Sequence, residues 1–214
     1  MLNKRPAHVQ DDDSDATDQR VARSSRALAV AVSELLHEGA FHEITVQQII
    51  DRAGVARATF YARYRNKDDA LFTSYEQMIA GLENRMERRT TRDTRLAPVS
   101  ELLAHLASAP SVLDSLRASD RMEMIWELGT GFFAEMIERR LPLFTGSGAP
   151  TVAVTTVSAP TAAAPKLEAR MLAGALVELI KWWLEHPQRM TADALDSHFH
   201  DMARRVLVPS RRLG

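Results

Sequence analysis

Between Val21 and Val206 the apolar residues recur three and four positions apart, and a chain with that period can bury them along one side only by coiling into α-helices. Val21, Leu28, Ala29, Val32, Leu35 and Leu36 form a first such face, closed by Gly39. Val46, Ile49, Ile50 and Ala53 form a second, with Thr45 suited to cap its start and Gly54 to end it. After a short break, Ala56 to about Tyr61 predicts a further short helix. A fourth is expected behind Asn66 as cap, with Asp68 and Asp69 near its positive end and an apolar stripe of Leu71, Tyr75, Met78, Leu82 and Met86.

The same spacing continues through Leu102, Leu103 and Leu106, then Val112, Leu113 and Leu116, then Met122 to Leu141, where Pro142 is expected to close the element. Leu167 to His186 is the most apolar helix, ended by Pro187, and Thr191 caps a last one whose face is Leu195, Phe199, Met202 and Val206. No strand alternation competes, so the expected fold class is all-α.

Two stretches break the pattern. Residues 1–19 are polar and carry Asp11, Asp12, Asp13, Asp15 and Asp18, too little apolar surface to offset the entropy of ordering, and a disordered acidic tail is expected. Residues 146–165 have no charge and many small residues; Val152, Val154 and Val157 hint at a strand, but nothing nearby could pair with it, and a flexible loop is expected. The predicted organisation is a three-helix head at 20–65 and a helical body at 66–208.

The 214 residues contain no cysteine, which excludes disulfides, thiol catalysis and cysteine-held zinc, and the formal charge of −1 excludes a chain that is basic throughout. No run is long and apolar enough for a secretory or membrane-spanning segment, so the cytoplasm is the expected compartment and no membrane partner is expected.

Any attraction to nucleic acid must therefore be local, and it is. From Arg20 to Lys67 eight basic residues face Glu34, Glu38, Glu43 and Asp51, a net charge of +4. Two short helices across a Gly-containing turn have the spacing of a helix-turn-helix, whose second helix enters the major groove with its first residues at base edges. Here those residues are Ala56, Arg57, Ala58 and Thr59. Arg57 can donate two hydrogen bonds to a guanine, Thr59 can meet a thymine methyl or a phosphate, and Tyr61 can place its hydroxyl on the backbone. Thr45 and Lys67 stand at helix starts, where backbone N–H groups already favour an anion. Arg65 and the run Arg85, Arg88, Arg89, Arg92 and Arg95 read more simply as solvated charges.

The run ITVQQIIDRAGVARATFYARYRNKDDAL closely resembles the DNA-binding head of the TetR family of bacterial transcription regulators, over about residues 22–75. The resemblance lies in the Thr–x–x–x–Ile–x–x–x–Ala–Gly–Val lead, the helix with Thr, an aromatic residue and Tyr in succession, and the aromatic–x–x–Lys–x–x–Leu exit. It implies a homodimer built mainly on the last two long helices, bound to a palindromic operator in double-stranded DNA and released when a small molecule enters the body. It also implies that Thr45, Arg57, Thr59, Tyr61, Tyr64 and Lys67 line the DNA side; Arg63, where the family often has His, adds backbone attraction. Tyr64 is expected to serve partly as a packing residue. Ala56 stands where Ser or Thr is common, so a cap is missing there.

In the body, Met122, Trp126, Phe132, Phe133 and Met136 bring aromatic and adaptable side chains to one helix, with Gly129 and Gly131 between them, as a small apolar or amphipathic ligand needs; ordinary core packing is the competing reading. Glu178 is expected to pair with Lys181. An enzyme is disfavoured: there is no phosphate loop or nucleophile elbow, and His198 and His200 point apart on a helix, so neither catalytic residues, nor a metal site, nor a cofactor is expected. A purely architectural DNA binder would not need the large body.

Overall fold

A computed structural model describes residues 10–89, 94–146 and 166–207, with side chains from residue 19 onward except at position 89. All of its regular structure is helical: α1 (Gln10–Glu38), a 3-10 turn (Phe41–Glu43), α2 (Val46–Ala53), α3 (Arg57–Tyr61), α4 (Lys67–Arg89), α5 (Val99–Ser108), α6 (Pro110–Ala118), α7 (Met122–Thr145), α8 (Leu167–Glu185) and α9 (Ala192–Leu207). No described helix is long and apolar enough to cross a membrane.

Several boundaries follow from local chemistry as expected. Thr45 and Gln48 form a reciprocal capping box on α2, Thr45 Oγ1 accepting the Gln48 N–H at 3.2 Å and Gln48 Oε1 accepting the Thr45 N–H at 2.8 Å. Gly54 ends α2 at φ 63°, a left-handed conformation that costs glycine nothing. Asn66 Oδ1 accepts the Asp69 N–H at 2.9 Å, and Thr191 Oγ1 the Ala194 N–H at 3.2 Å, capping α4 and α9.

Other expectations are corrected. The acidic stretch is helical from Gln10, so only residues 1–9 of the expected tail lie outside the described residues. Pro142 does not end α7: the helix runs on to Thr145, its last turn anchored by the buried Phe144, and Gly146 terminates it at φ 71°. A proline in a final turn removes one backbone bond, and burial of the phenyl ring offsets it. Residues 147–165, the rest of the expected loop, lie outside the described residues.

The chain forms two compact units: residues up to Gln77 with Ser111–Ser119, and Met78–Pro110 with residues from Asp120 onward. The expected division after residue 65 thus moves into α4, and Ser111–Ser119 joins the head. A row of serines explains that placement. Ser111 Oγ lies 2.8 Å from His37 Nδ1, Ser115 donates to the Gly39 carbonyl at 2.6 Å, and Ser119 Oγ accepts the His42 N–H at 3.0 Å. Ser111 and Ser115 lie one turn apart on one face of α6, and Ser119 directly follows it.

The head's core joins Leu28 and Val32 of α1 to Ile49 of α2 and Phe60 of α3, all buried, while Val21 of the expected α1 face is exposed. In the second unit α7 packs along α8, and α5 packs against α9. The α9 face is also redrawn. Leu195 and Phe199 are buried as expected, but their buried companions are Asp196, His200 and Ala203, and Met202 and Val206 face outward.

Candidate nucleic-acid interface

The short helix α3 follows α2 after Gly54, Val55 and Ala56, and it is tied down by one large side chain. Phe60 is fully buried and meets the rings of Tyr61 and Tyr64 edge-on, each at a centroid distance of 5.3 Å. With Phe60 inward, Arg57 and Tyr61 project outward; Tyr61 remains 47% exposed. Ala56 supplies no side-chain cap, as its methyl group requires, so the first N–H groups of α3 are not closed off by a side chain of their own helix start.

Arg57 is held ready rather than loose. Its guanidinium donates to Gln47 Oε1 at 3.1 Å and to the Tyr61 hydroxyl at 3.4 Å, and lies over the Tyr61 ring at 5.3 Å. Gln47 in turn donates to Asp51 Oδ1 at 2.8 Å, so α2 steers the leading base of α3 through an exposed amide. Sequence reasoning missed Gln47; its one signal was a polar residue on the outer face of α2. Thr59, half-buried, belongs to the same short helix.

Thr45 is exposed, but its hydroxyl is engaged in the capping box, donating to Gln48 Oε1 at 2.9 Å. Arg63 reaches back to Ser25 Oγ on α1, a partner that sequence spacing could not reveal.

Two expected DNA-side residues are placed otherwise. Tyr64 is buried against Phe60, and burial pushes its hydroxyl pKa up, so it is a packing residue. Lys67 turns inward: its ammonium donates to the carbonyls of Phe41, His42 and Ile44 at 2.9, 2.9 and 2.7 Å and lies over the Phe41 ring at 4.9 Å. The long reach of a lysine lets it bond residues more than twenty positions away, which local reading cannot anticipate.

Pairing also thins the positive charge. Arg52 donates to both Glu38 carboxylate oxygens at 2.8 Å and to Glu34 at 3.4 Å, and its hydrogen bonds hold the Glu38 carboxyl below the usual range. Arg65 grips Asp69 through two nitrogens. Between Arg20 and Arg65, the exposed bases bonded to no carboxylate among the described residues are Arg57 at the start of α3 and Arg20, Arg23 and Arg26 along α1.

In the second unit, Met122, Trp126 and Phe132 of α7 are half-buried, whereas Phe133 and Met136 are buried outright, as core residues are. Lys181 of α8 pairs with Glu178 at 2.8 Å and stands over the Trp126 ring at 5.7 Å. Among the described residues no group of three or more His, Asp or Glu side chains is placed to hold a metal ion.

Residues 28–72 match the bacterial regulatory proteins of the tetR family. The fatty acid metabolism regulator protein of Bacillus subtilis (strain 168) is 32% identical over 73 residues, covering 32% of this chain and 38% of that protein; the match thus spans well under half of the relative's length. A TetR transcriptional regulator from Streptococcus agalactiae 2603V shares 22% identity, covering 89% of this chain and 98% of that one at a TM-score of 0.46. A putative TetR-family transcriptional regulator from Syntrophomonas wolfei str. Goettingen shares the fold at a TM-score of 0.52, with 11% identity over 90% of this chain and 99% of that one. Over residues 28–72, this chain is thus similar to the bacterial regulatory proteins of the tetR family.

Proposed function

We propose that the chain is a homodimeric repressor that binds a palindromic operator in double-stranded DNA through α3 and releases it when a small apolar or amphipathic molecule binds the body. The observation that carries this reading is the outward presentation of Arg57 and Tyr61 from a helix locked from behind by Phe60. An exposed guanidinium at the start of a short helix suits bidentate recognition of guanine, and a half-exposed phenol suits a phosphate. Thr59 and Arg63 complete the contacting set, Thr45 touches the backbone from the start of α2, and Arg20, Arg23 and Arg26 add attraction that depends on salt.

Dimerisation is supported by apolar side chains left outside on α8 and α9. Leu167 and Met171 are 71% and 65% exposed, and Met202 and Val206 are 50% and 70% exposed. Each pair is spaced four apart, so each makes a stripe that a second copy can cover. Two-fold symmetry then matches a palindrome with half-sites about one DNA turn apart. Ligand contact falls to the half-buried Met122, Trp126 and Phe132, with Phe133 and Met136 as packing behind them. The cytoplasm, where the DNA is, is the place of action.

The test is fluorescence anisotropy against duplexes tiled across the DNA flanking the gene, at two salt concentrations with scrambled competitor. Tight binding to one duplex that survives competition is expected. Weak, steeply salt-dependent binding to every duplex would overturn the reading.

A further inference from the structure

The turn between α1 and α2 is held from two sides at a single peptide. The carbonyl of His42 accepts from Lys67 Nζ at 2.9 Å, and the N–H of His42 donates to Ser119 Oγ at 3.0 Å. Lys67 is the first residue of α4, and Ser119 directly follows α6. Lys67 Nζ also donates to the carbonyls of Phe41 and Ile44, so its hydrogen bonds bracket the whole 3-10 turn. The next residue after Ile44 is Thr45, whose capping box starts α2.

The chemistry of that nest is specific. Carbonyls at the end of a helical turn carry partial negative charge, and that of Phe41, which also accepts the Ile44 N–H at 3.2 Å, has a second lone pair for the ammonium. An ammonium offers three N–H donors around one nitrogen, and three carbonyls at 2.9, 2.9 and 2.7 Å take all three. An ammonium so engaged has no donor left for a phosphate. A guanidinium could not replace it, because its donors lie in a planar fork and cannot converge on a single point.

We propose that Lys67 is a positioning residue for DNA recognition: its ammonium seats the Phe41–Ile44 turn and thereby sets the start of α2, on which the aim of α3 depends, without itself contacting DNA. Ser119, just after α6, holds the same turn from the other side. The proposal rests on the DNA-binding reading above for its functional half, while the seating itself is a property of the protein alone.

The experiment compares Lys67→Met, Lys67→Arg and Ser119→Ala with the parent in the full-length protein. One arm measures amide hydrogen exchange across residues 41–48 without DNA. The other measures binding to the operator-bearing duplex across a salt series. Faster exchange in that segment is expected for both lysine variants and, more weakly, for Ser119→Ala. Affinity is expected to fall about tenfold in both lysine variants, the loss that follows when about a tenth of molecules hold a competent head. The salt slope should stay at the parent value, because no phosphate contact has been removed, and arginine should fail to rescue. The opposite pattern overturns the proposal: parent-like binding by Lys67→Arg, with a slope reduced by about 0.9 in Lys67→Met, marks a phosphate contact. Unchanged exchange in Lys67→Met also overturns it, whether or not the parent binds DNA, so failure of the seating and failure of the DNA-binding reading give different results.

Discussion

Asp196 Oδ1 accepts the Ser100 backbone N–H at 3.2 Å, so a carboxylate from α9 caps the first turn of α5 across 96 positions of sequence. The same oxygen lies 3.3 Å from Arg95, which also binds Glu101 at 2.9 Å. One turn along α9, His200 Nε2 accepts the Leu96 N–H at 3.0 Å while Nδ1 donates to the Asp196 carbonyl at 2.7 Å, the pattern of a neutral imidazole. The segment leading into α5 is thus held by side chains of α9. Asp196→Ala leaves the Ser100 N–H without its acceptor and takes one carboxylate from the part-buried Arg95 guanidinium, and is predicted to cost about 1–3 kcal/mol. Urea unfolding checks this; a loss below about 0.5 kcal/mol would show the cap to be dispensable.

The same carboxylate gives a pH signature. Burial pushes its pKa up, but the hydrogen bond from His200, the Arg95 charge and the Ser100 N–H outweigh that and hold it below the usual range. A folded-state pKa below the unfolded one contributes stability that is fully present above the unfolded value of about 3.9 and is lost as pH falls through the folded value. The stability gap between the parent and Asp196→Asn is therefore predicted to be constant above about pH 5 and to shrink below about pH 4. A gap that grows on acidification would reverse the sign.

Thr45→Ala removes the reciprocal cap of α2 and is predicted to destabilise the head by about 1 kcal/mol, with Thr45→Ser recovering most of the loss. Thermal unfolding of the two variants decides it: equal losses would place the importance of Thr45 in its methyl group rather than its hydroxyl.

What was legible in the sequence is what is local. Thr45, Asn66 and Thr191 cap the helices they precede because a cap and its N–H are three residues apart. Gly54 stops α2 for an equally local reason, and Glu178 meets Lys181 within one helical turn. The misplacements share the opposite character. Lys67 bonds residues 23 to 26 positions away, and the serines on and just after α6 bond residues 74 to 77 positions away, so neither partner is visible in a helical period. Tyr64, expected to serve partly as a packing residue, is buried against Phe60, one turn back. On α9, Asp196 and His200 are buried where Met202 and Val206 are not, because a satisfied polar network can occupy a core position as well as a methionine can.

Phe133 and Trp126 distinguish core packing from the proposed ligand contact. It is buried as a packing residue, and Phe133→Ala is predicted to cost about 3–5 kcal/mol whether or not a ligand is added. Trp126 is half-buried beneath Lys181, and Trp126→Ala should cost much less stability. Chemical denaturation of both compares them directly; similar losses would make α7 one continuous core with no side turned to a ligand.

Recognition itself should divide between Arg57 and Tyr61, although they touch. The Arg57 guanidinium is pre-aimed by Gln47 and by the Tyr61 ring, so little side-chain entropy is lost when it docks. Arg57→Ala is predicted to relax discrimination at one base pair by about 1–3 kcal/mol, while leaving the preference at other positions intact. Tyr61→Ala removes the proposed backbone contact and is predicted to weaken binding to every sequence alike. Because the ring also supports Arg57, the double variant should lose less than the sum of the single losses. Anisotropy titrations against single-base variants of the operator read all three. Equal losses at every base for Arg57→Ala would reassign it to the phosphates, and strict additivity would show that the stacked geometry does not persist on DNA.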